Sequence, residues 1–411
     1  MRQLKPREKG YEEGLAAGRA IVGKWRPSST SRLENWILAT REAPTIICED
    51  RDFAEAMGDL QRLHQEDLPV LATDLHRHKM DALPDLKIFP ELAGMDQYLD
   101  EEAKGFAVGA GIDVGEILLD RYCEEIYLDI ARGYGLTVAQ CSEYWFPETP
   151  NGPLLGKGWD DAMAWYRETP FALPSTDRGE PAVDEIPPQA EGLGYRCGGG
   201  SGNEVGLCVS IGGGAVYEYE AKPDRVLFPV PVNDLVLRSC ATVYEAVEML
   251  IRYNSYWGPC NLVVGDAQGR GALFEKSRYT YAVRMSGRNV LITTYGGCEE
   301  EDMRALCDTS TALFVYYERR LQVMKEIVAE GEAGEGLDLD VYWRSILHHD
   351  EEAPGCTHLE TRPEGIELFT FGAYAHLPRE GRSLARTLAR VDGGLRYGCE
   401  TPAVESRWRF T

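Results

Sequence analysis

Apolar and polar residues follow two different periods along this chain, and the periods predict both helices and strands. The segment from Thr242 to Ile251 is apolar at 243, 246, 247, 250 and 251, which is typical of an amphipathic helix. Longer helices are predicted from Glu301 to Glu330 and from Leu337 to Leu347. Strands are predicted where apolar runs lie between turn residues, over 260–266, 271–275, 289–295 and 366–376. This mixture of elements indicates the α+β class.

The first part of the chain has a helical pattern. A helix is predicted over Lys9–Arg19, where the small residues at 14, 16, 17 and 18 suggest a closely packed face. Further helices are predicted between Asp50 and Gly133. Three histidines fall within this part, and no cysteine or carboxylate accompanies them at ligand spacing, so we expect exposed or capping histidines: His64, His76 and His78.

The segment from 139 to 160 combines a strand pattern with a reactive side chain. Cys141 begins an aromatic run that ends at Phe146, and a second apolar run ends at Asp160. Because Pro150-Asn151-Gly152 separates the two runs, they predict a β-hairpin. Such a hairpin brings a thiol nucleophile and a carboxylate to one edge of a sheet. The alternative interpretation of Cys141 is a small buried hydrophobe, since the chain has eleven cysteines.

Charge and composition narrow the classes of partner. The net charge is 43 − 67 = −24, and this excess of acid disfavours nucleic acid and anionic membranes as partners. No apolar run approaches the length of a membrane span, and no apolar segment follows the basic N-terminus as in a signal peptide. The odd number of cysteines without a Cys-x-x-Cys pair predicts free thiols, a cytoplasmic protein and no metal or other cofactor.

The motifs around Cys141 resemble those of a known family. Gln140-Cys141-Ser142 and Gly156-Lys157-Gly158-Trp159-Asp160 resemble the motifs of the N-terminal-nucleophile (Ntn) hydrolases, in particular the family of the acyl-coenzyme A:6-aminopenicillanic acid acyltransferase. Members typically have Gly-Cys-Thr, followed by Gly-Arg/Gln-Asn-x-Asp. The similarity continues through the predicted strands between Cys260 and Glu275.

The resemblance implies a fold and a division of the chain. It implies a four-layer αββα sandwich with a helical N-terminal region. Residues 1–140 then correspond to a helical pro-region, and residues 141–411 correspond to the catalytic region. Family precursors cut themselves before the internal cysteine, so the resemblance places the cleavage between Gln140 and Cys141.

The resemblance also implies roles for individual residues. Cys141 is the expected nucleophile, and Asp160 is expected to hold the new α-amino group. Thr294 stands where the family has an oxyanion-binding asparagine and Tyr295 follows it, so these two are the candidate oxyanion donors. The candidate substrate-binding residues are Lys157, Asn203 and Thr357. Two alternatives without a catalytic or binding role remain for the motif Gly156–Asp160. Asp160 is then a turn cap, and Lys157 is a solvated charge.

Two other patterns have competing interpretations. The glycine run from Gly198 to Gly202 suggests a phosphate loop, but no Gly-Lys-Ser/Thr follows it, and the family's turn at Asn203 is the better match. The pair His348-His349 beside acidic residues suggests a metal site. The family carries a similar histidine loop at this position, with an arginine where Thr357 stands, and that match favours a loop without metal.

The expected activity is hydrolysis or transfer of an acyl group from an amide or thioester of a small molecule, for example an acyl-coenzyme A, after self-cleavage before Cys141. The alternative is a non-cleaving, degenerate member of the family that binds a small ligand or a partner. Three departures from the family pattern favour the alternative: Gln140 for glycine, Thr294 for asparagine and Thr357 for arginine.

Overall fold

The computed structural model describes residues 7–20, 68–82, 95–119, 122, 140–162, 195–197, 200–213, 232–254, 260–277, 280–295, 301–307, 309–310, 312–358, 368–387, 389–391 and 394–407. The helices within these ranges are α1 (Arg7–Ala20), α2 (Leu68–Ala82), α3 (Met95–Ala110), α4 (Val232–Ser239), α5 (Val243–Arg252), α6 (Glu301–Arg304), α7 (Ala312–Ala333) and α8 (Leu339–Ile346). Among these described residues, no helix is both long enough and apolar enough to cross a membrane.

Glycines allow α1 and α3 to pack backbone against backbone. A Cβ atom on Gly14 would lie 2.9 Å from the carbonyl carbon of Glu102, and one on Gly18 would lie 2.8 Å from the amide nitrogen of Ala110. Both distances are too short for a real side chain, so these positions require glycine. The prediction of a close-packed face is confirmed at 14 and 18, whereas Ala16 is exposed.

Among the histidines of the N-terminal part, the burial of one differs from the prediction. His76 on α2 is buried rather than exposed, and its Nδ1 lies 2.6 Å from the hydroxyl of Tyr122. Its Nε2 lies 3.7 Å from a carboxylate oxygen of Asp100 on α3. A polar ring can be buried here because neighbouring elements supply partners for it. His78 is exposed as predicted, and His64 lies outside the described residues.

Two six-stranded antiparallel sheets contain most of the strands in the described residues. The strands are β1 (Gln140–Phe146), β2 (Leu154–Ala162), β3 (Tyr195–Cys197), β4 (Gly200–Gly202), β5 (Leu207–Gly212), β6 (Cys260–Asp266), β7 (Gly271–Lys276), β8 (Tyr281–Met285), β9 (Leu291–Thr294), β10 (Leu368–Leu377), β11 (Arg382–Thr387), β12 (Ala389–Val391), β13 (Gly394–Arg396) and β14 (Val404–Arg407). The first sheet has the order β14-β11-β10-β2-β1-β9, and the second has the order β3-β4-β5-β6-β7-β8. Strands β12 and β13 form a separate pair.

Side chains from both sheets meet in a shared apolar core. Trp145 and Leu155 of the first sheet pack against Cys208, Val263 and Leu273 of the second. Two glycines of the second sheet make room for the indole ring, since a Cβ on either would overlap it: Gly265 and Gly271. The two sheets therefore face each other, and the hairpin β1–β2 contributes directly to the interface between them.

Helices cover the other face of each sheet. Tyr144 and Phe146 of β1 belong to a core with Met324 of α7 and with Tyr342 and Ile346 of α8. On the second sheet, a separate core joins its strands to α4 and α5: Leu207, Val209, Leu262, Leu235, Val243 and Met249. Side chains alternate along β1, so successive residues reach either the second sheet or the helices.

One predicted helix is interrupted. The sequence predicts a single helix over 301–330, whereas the structure has α6, a turn region, and then α7. The run Asp308-Thr309-Ser310-Thr311 lies at the break. Such side chains compete for backbone hydrogen bonds and favour turns and helix starts over helix interiors. The helix predicted over 337–347 is confirmed as α8, whose N-cap is Asp338.

Candidate active site

The predicted hairpin is present and sets the geometry of the site. Strands β1 and β2 pair antiparallel, with Gln140 opposite Asp160 and Cys141 opposite Trp159. The connecting turn is closed by backbone hydrogen bonds between Thr149 and Gly152, and Gly152 has a φ of 88°, a conformation that favours glycine. The peptide bond between Gln140 and Cys141 therefore lies within a paired, extended strand.

Cys141 and Glu143 point from β1 toward the second sheet. A Cβ placed on Gly212 of β5 would lie 2.9 Å from the Cβ of Cys141 and closer still to a carboxylate oxygen of Glu143. The absence of a side chain at Gly212 therefore creates the space that both residues occupy. Both side chains are buried, and Cys141 is 4% exposed.

Lys157 is the cation of this buried group. It lies on β2 directly opposite Glu143, and its Nζ donates a hydrogen bond to the Ile211 carbonyl on β5. The positive charge of Lys157 also acts on the Cys141 thiol and opposes the rise that burial causes in the pKa of that thiol. Lys157 is 4% exposed, so the alternative of a solvated surface charge is wrong.

Burial keeps both acidic groups protonated near neutral pH. Desolvation raises the pKa of the Cys141 thiol to about 12, although Lys157 opposes that rise. Desolvation likewise raises the pKa of the Glu143 carboxyl to about 8, again against the attraction of Lys157. Both carboxyl oxygens of Glu143 lack a hydrogen-bond partner among the described residues. A buried carboxyl without partners beside a thiol is costly for the fold, and this cost points to a chemical role.

Asp160 lies on the opposite face of the hairpin, in a buried polar cluster. Its carboxylate forms a buried ion pair with Arg320 of α7. It also accepts hydrogen bonds from the hydroxyls of Tyr317, at 2.8 Å, and Thr370, at 2.7 Å. Arg320 in turn donates to the hydroxyl of Thr357 at 2.9 Å. Asp160 is thus the centre of an ion-paired network and not a turn cap.

The side chains proposed as oxyanion donors do not face Cys141. Thr294 pairs with Ser142 on β1, and its hydroxyl donates to the Tyr317 carbonyl at 3.1 Å on the helical side. Tyr295 packs its ring against that of Tyr317, with centroids 5.7 Å apart. The expectation that this strand end presents its hydroxyls to the thiol is wrong, because strand alternation turns Thr294 toward α7.

The hydrogen bonds of Asn203 and Thr357 serve the fold. The Asn203 amide donates to the carbonyls of Leu237 and Cys240 at 3.0 and 2.9 Å, and its oxygen accepts from the Leu207 amide. It thereby ties the β4–β5 turn to the end of α4. The hydroxyl of Thr357 lies in the Arg320 network and is 0% exposed. Both side chains are therefore buried and used by contacts within the fold, and their substrate-binding role stays a prediction.

Sequence reasoning missed three residues of the site. Glu143 could have been found, because period-2 alternation places it on the same strand face as Cys141. Asn261 on β6 donates to the Thr294 carbonyl at 2.8 Å, and it pairs with Gly212, the residue beside the thiol. Arg320 lies in a long helix with nothing in its local sequence to distinguish it. Its guanidinium binds the hydroxyl of Thr357.

A separate group of side chains contradicts the spacing argument against a metal site. The ligand atoms of four residues lie within 4.8 Å of one another: His349, Cys356, His358 and Cys399. Sequence spacing relates only residues that are close along the chain, whereas Cys399 comes from a distant turn. The cluster shares no residue with the surroundings of Cys141.

Comparison with known proteins finds similarity only among solved structures. A penicillin V acylase from Agrobacterium tumefaciens matches with 13% identity and a TM-score of 0.32, over 60% of this chain and 83% of that chain. Two mutant forms of a conjugated bile acid hydrolase from Clostridium perfringens match with 10% identity and TM-scores of 0.30 and 0.32, over 66% of this chain and 90% of theirs. These TM-scores are too low to establish a shared fold. No protein-family model and no curated protein matches.

Proposed function

We propose that this chain is a cysteine acyl hydrolase or acyltransferase of the Ntn type, with a four-layer αββα sandwich. Its substrate is the amide or thioester of a small molecule, and it is activated by cleavage between Gln140 and Cys141. The observation that carries the proposal is the buried group of Cys141, Glu143 and Lys157 on one strand pair. The antiparallel sheets, which face each other beneath outer helices, and the sequence motifs around Cys141 support it.

In the intact chain, the ionised form of Glu143, which predominates only above about pH 8, is the base for the first step. The thiol proton passes to the Glu143 carboxylate, and Sγ attacks the carbonyl carbon of Gln140. The C–N bond then breaks as the C–S bond forms, and the nitrogen of Cys141 takes up the proton. Water hydrolyses the resulting thioester, which releases the Gln140 carboxylate and a free Cys141.

The electrostatics make this first step slow. The pKa of the thiol is about 12 and that of the carboxyl is about 8. Proton transfer between groups separated by this difference is uphill by about 5 kcal/mol. After cleavage, the new α-amino group, with an ordinary pKa of about 8, replaces Glu143 as the nearest base. The backbone of Asp160 pairs with position 140, so its carboxylate, which already binds Arg320, would accept one further hydrogen bond from this ammonium. Lys157 would bind a carboxylate of the substrate.

Asn261 is the side-chain amide best placed for the oxyanion. It extends from the second sheet beside Gly212, and one of its N–H groups is used by the Thr294 carbonyl. Preorganised amide donors stabilise the charge that develops during acyl transfer, and the loss of one such donor typically costs about 3 kcal/mol.

The test is the self-cleavage of purified chain. We expect fragments of 140 and 271 residues (411 − 140 = 271) that accumulate with time. Cys141→Ala should abolish them, and Glu143→Gln should slow their appearance. Cys208→Ala is the matched control, because Cys208 is an equally buried thiol at the same sheet interface. A single full-length band from the unaltered chain after prolonged incubation refutes the self-cleavage.

One observation favours a second function, a ligand-binding protein without turnover. The Cys141 thiol is 4% exposed and remains protonated at neutral pH, which is typical of an unreactive core cysteine. The two functions differ in thiol reactivity. Limited alkylation followed by peptide mapping labels Cys141 first in an enzyme, whereas a binding protein is labelled first at the half-buried Cys307.

A further inference from the structure

The loop that follows α8 carries side chains of the types that bind metal ions, and it lies close to a turn that is distant in sequence. His349, Cys356 and His358 lie on this loop, and Cys399 lies in the turn after β13. The Nε2 atom of His358 is 3.2 Å from the Sγ atom of Cys399. The rings of His349 and His358 meet edge to face, with centroids 5.1 Å apart. One ligand atom from each of the four lies within 4.8 Å of all the others.

We propose that His349, Cys356, His358 and Cys399 bind one zinc ion. Two thiolates and two imidazoles form a donor set of structural zinc sites, and soft sulfur ligands disfavour magnesium and calcium. Zn–S bonds of about 2.3 Å and Zn–N bonds of about 2.0 Å put tetrahedral donors about 3.3–3.8 Å apart. The longest separation, 4.8 Å at most, must therefore shorten by about 1 Å when the ion binds.

The loop holds its shape through contacts that do not involve the metal. The His348 carbonyl accepts hydrogen bonds from the amides of Gly355, at 2.9 Å, and Cys356, at 3.1 Å. The His358 ring stacks on Tyr397, with centroids 3.8 Å apart and planes 7° from parallel. These contacts orient two of the four ligands in advance, as the outer contacts of a metal site do.

The role that follows for the ion is structural. Four protein ligands complete a tetrahedron, so no coordination position is left for a substrate or a reactive water. Thr357 lies between two of the ligands, and its hydroxyl accepts a hydrogen bond from Arg320, the partner of Asp160. The ion would thus tie the loop to the turn at 397–400 and stabilise the Arg320–Asp160 network beside the hairpin.

The first experiment measures zinc in the full chain after purification without added metal. We expect about one zinc per chain, and Cys356→Ser should remove it. Cys307→Ser is the matched control, since Cys307 is a half-buried thiol outside the cluster. Loss of zinc in the Cys307→Ser variant as well, or zinc-free chain from the outset, overturns the proposal. So does a disulfide between Cys356 and Cys399, detected by mass spectrometry of unreduced protein.

A second experiment does not depend on the folding of a cysteine variant. Cobalt added to metal-free chain should produce thiolate-to-cobalt charge transfer and the intense visible bands of a tetrahedral site. His349→Ala removes an exposed ligand, so the fold should persist while cobalt affinity falls at least ~10-fold, because one of four bonds is lost. Equal affinity in the unaltered chain and the His349→Ala variant overturns the four-ligand site. The Cys141→Ala chain should bind the same ion, which separates this result from the proposed self-cleavage.

Discussion

Replacement of Glu143 by glutamine tests the electrostatics of the site through the stability of the fold. The carboxyl has a pKa of about 8 in the folded chain, against 4.5 for an ordinary glutamate. Between these values, the unfolded chain releases the proton while the folded chain keeps it, so stability falls as pH rises. Below 4.5 both states are protonated, and the group contributes nothing to the pH dependence.

The size of the effect follows from the width of this interval. Each pH unit between the two pKa values costs about 1.4 kcal/mol, so the free energy of unfolding should fall by about 5 kcal/mol from pH 4.5 to pH 8 through this group. Glutamine has nearly the same shape and does not ionise. Its buried amide adds a penalty of about 1–3 kcal/mol at every pH. The change in the free energy of unfolding with pH therefore reports the raised pKa of Glu143, whereas the free energy at a single pH does not.

The assay is denaturant unfolding at several pH values, with Cys141→Ala present throughout so that the chain stays intact. Glu143→Gln should flatten the profile between pH 4.5 and pH 8 relative to this background. Glu148→Gln is the control, because Glu148 is exposed on the same hairpin and should leave the slope unchanged. Parallel profiles with and without Glu143→Gln would mean that Glu143 is already ionised in the fold, paired with Lys157, and would refute the raised pKa assigned to its carboxyl.

The remaining predictions concern the opposite face of the hairpin. Arg320→Leu leaves the Asp160 carboxylate buried without its cation, so it should lower the free energy of unfolding by about 3–5 kcal/mol. Arg319→Leu should cost far less, because the Arg319 side chain is 39% exposed, and equal losses would contradict the buried network. Thr294→Val should leave the rate of self-cleavage within about twofold, since the hydroxyl bonds to Tyr317, and should cost about 1 kcal/mol of stability. A large loss of cleavage rate in the Thr294→Val variant would show that the Thr294 hydroxyl takes part in the cleavage reaction.

Local sequence determined the hairpin and most of the neighbouring elements. The backbones of Cys141 and Asp160 lie side by side because a turn with Asn151 and Gly152 joins two apolar runs, and the register follows from the length of that turn. Their side chains point to opposite faces of the hairpin. Thr242 and Asp338 start helices where capping residues precede apolar periods. Such features depend on contacts between residues close in sequence, so a single chain reveals them.

Tertiary structure alone decided which side chains meet. Arg320 reaches Asp160 across 160 residues of sequence, and Cys399 joins His358 across 41. No local pattern encodes either pairing, because each depends on how separate elements pack. The sequence predicted that Thr294 lies at the end of a strand, but it did not predict the direction of the side chain. In the structure the Thr294 hydroxyl points to the helices. Which face of a strand meets the other sheet is set by the burial of the whole molecule.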